Sequence, residues 1–143
     1  MKKLIVIFAC LISMQAWADN DRPIAVTDLP VEAQTFLNTY FADSKVAFVK
    51  EETDFFEVTY DVLFADGSSV EFSNSGKWTD VRCRARAVPD AIVPAEITNY
   101  VNTTYAGAVI LSIERGRYAY EIELSNGWEI KFDTRFNVID IDR

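Results

Sequence analysis

Y-A-Y-E-I-E-L-S-N-G-W-E-I-K-F, Tyr118 to Phe132, decides the fold. Apolar side chains alternate with charged ones at Tyr118, Tyr120, Ile122 and Leu124, and again at Trp128, Ile130 and Phe132, which is the period of a half-buried strand. Leu124 and Trp128 share a face only if Ser125-Asn126-Gly127 is a three-residue loop with Gly127 in the left-handed region. That loop fixes the register. It sets Ile122 against Ile130 and Tyr120 against Phe132 on the core side, with Glu123 against Glu129 and Glu121 against Lys131 on the other.

Working outward, the same arrangement occurs twice. A helix signal over Ala33, Phe36, Leu37, Tyr40 and Phe41, with Asp28 as cap and Pro30 in the first turn, returns sixty-four residues later behind Pro94 as Ile97, Tyr100, Val101 and Tyr105. Gly67, Phe72 and Asp80 match Gly127, Phe132 and Asp140 at an offset of sixty, so the hairpin of the first unit is four residues longer. The expected fold class is α+β: two tandem α-β4 repeats, residues 29–84 and 85–143, each a four-stranded antiparallel meander with one helix on one face. The expected strands are 45–50, 55–64, 68–74 and 77–83, then 108–114, 117–124, 128–133 and 137–142. One helix covers only one side of such a sheet, which leaves the other for water or a partner.

The N-terminus reads as an address. Lys2 and Lys3, the apolar run Leu4 to Met14 and Ala16-Trp17-Ala18 describe a signal peptide over residues 1–18, with a flexible lead-in over 19–28. A lipoprotein anchored at Cys10 is the weaker reading, because only six apolar residues precede that cysteine. Cleavage removes Lys2 and Lys3 from fourteen basic residues and none of the twenty-two acidic ones, so the mature chain carries a formal charge of −10. That balance argues against nucleic acid and against an anionic membrane surface. Cys83 is then the single thiol, and the chain contains no histidine, the commonest general base and zinc ligand.

The units L-P…N-T-Y…F-E-V-T-Y…D-G…V-E-F and V-P…N-T-T-Y…Y-E-I-E-L-S-N-G…I-K-F resemble the PepSY-like, β-lactamase-inhibitor-protein-like secreted proteins of Bacteroidetes, over Leu29 to Arg143. The resemblance implies a tandem α-β4 fold in the periplasm and a sheet surface that binds or inhibits another protein. Its motifs are structural and define no catalytic group.

Side-chain parity nominates the candidate sites. In the first unit, with Ala47, Val49, Phe56, Val58 and Tyr60 facing the helix, Phe48 and Phe55 point outward as a cross-strand pair. Trp78 points outward too, opposite an inward set of Thr79, Val81 and Cys83 that corresponds to Ile139, Ile141 and Arg143. In the second unit one row reads Glu121, Lys131, Asp140 and is internally compensated, while the next reads Glu123, Glu129, Asp142. Three carboxylates on adjacent strands, roughly 5 Å apart, either stand in water or supply part of the shell of a hard cation such as calcium. Cys83 reads as a buried small side chain, and pairs such as Glu121 with Glu123 or Glu57 with Asp61 are too generic for a glycosidase. The expected function is a non-catalytic periplasmic module binding a protein or peptide through Phe48, Phe55, Trp78, Glu121, Lys131 and Asp140. The alternative is a calcium-responsive protein using Glu123, Glu129 and Asp142.

Overall fold

A row of β-branched side chains runs across the molecule from strand to strand. Val49, Val62, Val70, Val81, Ile113, Ile122, Ile130 and Ile141 are consecutive cross-strand partners, and all but Ile141, on the outermost strand, are buried. Such residues fill a pleated surface well, and burying each stabilises the fold by about 1.5–3 kcal/mol. The computed structural model describes residues 20–143, so the expected signal peptide lies outside the described residues, and with it Cys10.

The strands that carry this row are β2 (Val46–Asp54), β3 (Glu57–Phe64), β4 (Ser69–Ser73), β5 (Trp78–Arg82), β6 (Ile110–Arg115), β7 (Ala119–Leu124), β8 (Glu129–Asp133) and β9 (Val138–Asp142). With β1 (Asp21–Pro23) they form one nine-stranded antiparallel sheet in sequence order. The four-stranded units expected from the sequence are therefore not separate sheets. β5 pairs with β6 through Asp80↔Glu114, Val81↔Ile113 and Arg82↔Ser112, which removes two sheet edges that would otherwise be open. The lead-in is likewise ordered where described. Asp21, Arg22 and Pro23 pair with Glu52, Glu51 and Lys50, held by Lys50 Nζ to Asp21 Oδ2 at 3.0 Å and Arg22 Nη2 to Glu51 Oε1 at 3.2 Å.

Among the described residues both α-helices lie on one face. α1 (Val31–Tyr40) and α2 (Ala95–Thr104) begin at Pro30 and Pro94, whose fixed φ suits a helix entry. Asp28 is not the cap of α1; its carboxylate accepts the Ala25 N–H at 3.0 Å and closes the short 3-10 turn Val26–Asp28. Phe36 of α1 meets Phe72 edge-on at 5.4 Å and Phe41 stacks on Phe64 at 4.9 Å, while Tyr100 of α2 meets Phe132 edge-on at 5.5 Å. The connection from β5 to α2 buries Cys83, Val88, Ile92 and Val93, and Arg86 donates to the otherwise open carbonyl of Tyr40 at 3.0 Å.

Four bulges correct the parity read from the sequence. Ala47, Thr79, Leu111 and Ile139 are extra residues with no ladder partner, each beside a register shift. A bulge lets two residues oppose one and turns the strand over. Val46, Trp78 and Val138 consequently join the helix face in place of Ala47, Thr79 and Ile139. The four extra residues of the first hairpin sit at its tip: Val49 and Ile113 are sixty-four apart in sequence, whereas their partners Val62 and Ile122 are sixty apart. Phe56, expected inward, stands at that tip.

The loops after β4 and β8 share a geometry but not a residue. Gly76 has φ +87°, and a Cβ there would lie 2.9 Å from Pro30 Cβ and 3.0 Å from Ala33 N, at the start of α1. Phe136 takes the corresponding turn at φ 65°, braced by Asp133, whose Oδ1 accepts the Arg135 and Asn137 N–H groups, each at 2.9 Å. Those hydrogen bonds, the one from the Asn137 N–H foremost, hold the Asp133 carboxyl below its usual range. Gly76→Ala should cost about 2–4 kcal/mol by urea unfolding, from the left-handed backbone plus the clash with α1. Gly127→Ala, at φ +90° with no atom near its would-be Cβ, should cost only about 1–2 kcal/mol.

Candidate binding face

The residues one position along from the Val/Ile row face away from the helices, and their cross-strand sequence is almost wholly charged. Lys50, Asp61, Glu71, Asp80, Glu114, Glu121, Lys131 and Asp140 are successive partners from β2 to β9. Five carboxylates thus stand on five neighbouring strands about 4.8 Å apart, closed at either end by a lysine. The neighbouring row grades from apolar to anionic: Phe48, Leu63, Ser69, Arg82, Ser112, Glu123, Glu129, Asp142. Because β5 and β6 are paired, the two halves present one surface.

Partial burial and like charge act together within the acidic stretch of the first row. Asp61 is pushed up to about 6, first by burial and then by Glu71, with Lys50 opposing. Asp80 is raised for the same reasons, burial foremost, with Glu114 and Glu71 adding and Arg82 opposing; its Oδ1 has no hydrogen-bond partner. The Thr79 hydroxyl, turned to this side by its bulge, donates to Glu71 Oε1 at 2.7 Å. Lys50 lies 3.0 Å from Asp21 and 3.7 Å from both Glu52 and Asp61, and its hydrogen bond to Asp21 raises its pKa. Arg82 reaches Asp80 at 3.9 Å and, across Ser112, Glu123 at 3.7 Å.

The structure brings Glu121, Lys131 and Asp140 together in register, and likewise Glu123, Glu129 and Asp142. The second trio is not bare, because Arg82 sits beside Glu123. No group of three or more acidic, cysteine or histidine side chains among the described residues is arranged to hold a metal ion. Asp80, Glu114, Glu121, Glu123 and Glu129 nonetheless line one shallow depression of about 80 Å³ with Arg82. Cys83 is buried, and burial raises its thiol pKa.

The aromatic candidates separate. Phe48 is on the open face, 46% exposed, but its cross-strand neighbour is Leu63, 43% exposed, and not Phe55. The pair borders an open groove of about 270 Å³ that continues over Lys50, Asp61 and Glu71. Trp78 is not on this face. The bulge at Thr79 pairs it with Phe72 on the helix side, where it is half-buried, with the Arg115 guanidinium 4.1 Å from its ring centre. Phe55 and Phe56 form the β2–β3 tip, 88% and 106% exposed, both at positive φ (52° and 119°). Sequence reasoning missed Leu63, Glu71 and Glu114, although the alternation that nominated Phe48 and Glu121 also marks them.

The architecture of the described residues defines a class: an α+β fold in which two helices back one antiparallel sheet whose other side is open. The PepSY-like, β-lactamase-inhibitor-like family model matches residues 58–140. A protein from Bacteroides vulgatus, described as periplasmic and of the DUF2874 family, is 56% identical, over 88% of this chain and 99% of its own, with a TM-score of 0.86. A protein from Bacteroides thetaiotaomicron, described as periplasmic and proposed to be calcium-regulated, is 50% identical over 88% of this chain and 99% of its own, with a TM-score of 0.85. A further Bacteroides vulgatus protein, described as periplasmic and of unknown function, is 35% identical over 86% and 99%, with a TM-score of 0.81. None of the curated proteins matches. The chain belongs to the PepSY-like, β-lactamase-inhibitor-like family.

The raised pKa of Asp61 gives stability a defined pH dependence. An unfolded aspartate titrates near 3.9, so between about 4 and 6 the folded state holds a proton that the unfolded state has lost. This contribution is fully present below the unfolded value and is lost as pH rises through about 6. Asp61→Asn, which cannot ionise, should raise the urea midpoint at pH 8, and that gain should shrink to nothing by about pH 4.

Proposed function

We propose that the protein is a non-catalytic periplasmic module that binds another protein through its open sheet face and the adjoining β2–β3 tip. The observation that carries this reading is the Phe55-Phe56 tip. Two L-residues at positive φ cost about 1–2 kcal/mol each, and a glycine-containing turn would avoid that cost. Instead the positions hold two fully exposed aromatics, the side-chain type favoured as a binding anchor. Phe48 and Leu63 supply a second apolar contact on the sheet, beyond the Lys50–Asp61 pair, and the row from Asp61 to Glu121 gives the face a preference for cationic partners. Two α-β4 units joined edge to edge account for this surface, with helices sixty-four residues apart and bulges at matching places supporting the duplication. The leader-like first eighteen residues and the periplasmic neighbours support the compartment.

Replacing the tip by a favoured two-residue turn, Phe55→Asn with Phe56→Gly, should leave the fold intact and raise stability by about 1 kcal/mol. The same double variant should lose capture of the partner that the unaltered protein cross-links in a periplasmic extract. Capture at the parent level would overturn the reading.

Calcium response is a second reading, favoured by the proposed calcium regulation of the 50% identical neighbour and by the carboxylate-lined depression. Glu123 and Glu129, with Glu114 and Glu121, would supply oxygens from its lining, and Asp142 stands opposite Glu129 on β9. A ligand present at a hundredfold excess over its dissociation constant stabilises by about 2.7 kcal/mol. One millimolar calcium should therefore raise the melting midpoint by several degrees, and magnesium at equal ionic strength should not. An unchanged midpoint rejects calcium while leaving the protein-binding reading standing.

A further inference from the structure

We propose that β9 is a docking edge for an extended polypeptide strand that alternates basic and apolar side chains, adding to the sheet as a tenth strand. This inference does not depend on the open-face reading. Among the described residues β9 has β8 on one side and no strand on the other, so alternate main-chain N–H and C=O groups are free to pair. The opposite edge is closed to this use: β1 is three residues long and contains Pro23. β9 instead offers five residues, with Ile139 at 54% and Ile141 at 44% exposed, an unusual amount of apolar surface on an edge.

The side chains state what an added strand must carry. Asp140 and Asp142 point to the open face, Ile141 to the helix face, so a complementary strand has cations opposite the aspartates and an apolar residue between them. Asp140 already has Lys131 beside it, but Asp142 is paired across the ladder with Glu129, a like-charge contact that a cation on a tenth strand would relieve. The same charges disfavour antiparallel pairing with a second copy of this chain. Centring a two-fold antiparallel pairing on Asp140 sets Asp140 against itself, and centring it on Ile141 sets Asp140 against Asp142. A pairing shifted by one residue opposes isoleucine to aspartate. Each alternative is unfavourable, whereas a Lys-apolar-Lys segment satisfies every position.

The test uses the unaltered protein and the capped peptide acetyl-Lys-Val-Lys-Val-Lys-Val-amide. Adding it should slow hydrogen exchange of the outward β9 amides at least tenfold. The same peptide N-methylated at its valines, which keeps the side chains but cannot pair, should give no such protection, and neither should acetyl-Glu-Val-Glu-Val-Glu-Val-amide. Asp140→Asn with Asp142→Asn should weaken peptide binding about tenfold with the melting midpoint unchanged. Equal binding of the N-methylated peptide, protection confined to the Asp61–Glu121 face, or protection of β9 by self-association without peptide would each overturn the proposal. Loss of binding in Phe55→Asn with Phe56→Gly would also overturn it, by assigning the peptide to the tip.

Discussion

The row of eight Val and Ile side chains from Val49 to Ile141 is the constraint on which the structure depends. It crosses the β5–β6 junction without interruption, where Val81 and Ile113 are both fully buried, and so makes one sheet of two helix-backed halves. The seven buried members contribute gross burial on the order of 10–20 kcal/mol. A shift of any one strand by a single residue would carry its member of the row to water and bring a charge beneath the helices, so the row also fixes every register. The charged face is then a consequence of the core, since the residue next to each Val or Ile must point the other way.

That face is tolerated, not stabilising in itself. Lys50, Arg82 and Lys131 are spaced along it, and each lies beside carboxylates on two sides. Exposed pairs of this kind contribute about 0–1 kcal/mol each, far less than the apolar row behind them. Asp61 and Asp80 are raised above the usual carboxylate range, by burial first and by the neighbouring acids second.

How much of this was legible depends on the distance over which each feature is determined. The Tyr118–Phe132 hairpin was readable to the residue, because alternation and Gly127 both act within it, and the observed pairs are Tyr120↔Phe132, Glu121↔Lys131, Ile122↔Ile130 and Glu123↔Glu129. The bulges were not readable: Ala47, Thr79, Leu111 and Ile139 share no residue type and none is glycine. The bulge at Thr79 is why Trp78 lies on the helix side and not on the open side that unbroken alternation predicts. The β5–β6 junction joins strands separated by a helix and a long connection, so no local pattern marks it, and with it went the placement of Arg82 beside Glu123. The β1 strand has no alternation at all; it is placed by Asp21 and Arg22 finding Lys50 and Glu51.

The gradient along the second open row bears on how such a surface would work in the proposed role. From Phe48 and Leu63 through Ser69, Arg82 and Ser112 to Glu123, Glu129 and Asp142, one row passes from apolar to anionic over eight strands. Charge acts at long range and chiefly on the rate and orientation of encounter, whereas desolvated apolar contact acts at short range and on residence time. A surface with both at opposite ends orients a cationic partner before it is held, and the Phe55-Phe56 tip stands apart from the apolar end, further along the β2–β3 hairpin and beyond the Lys50–Asp61 pair. The four-residue extension therefore adds a second apolar contact separated from the first by charged pairs, so a partner held at both Phe48–Leu63 and the tip must span the charges between them.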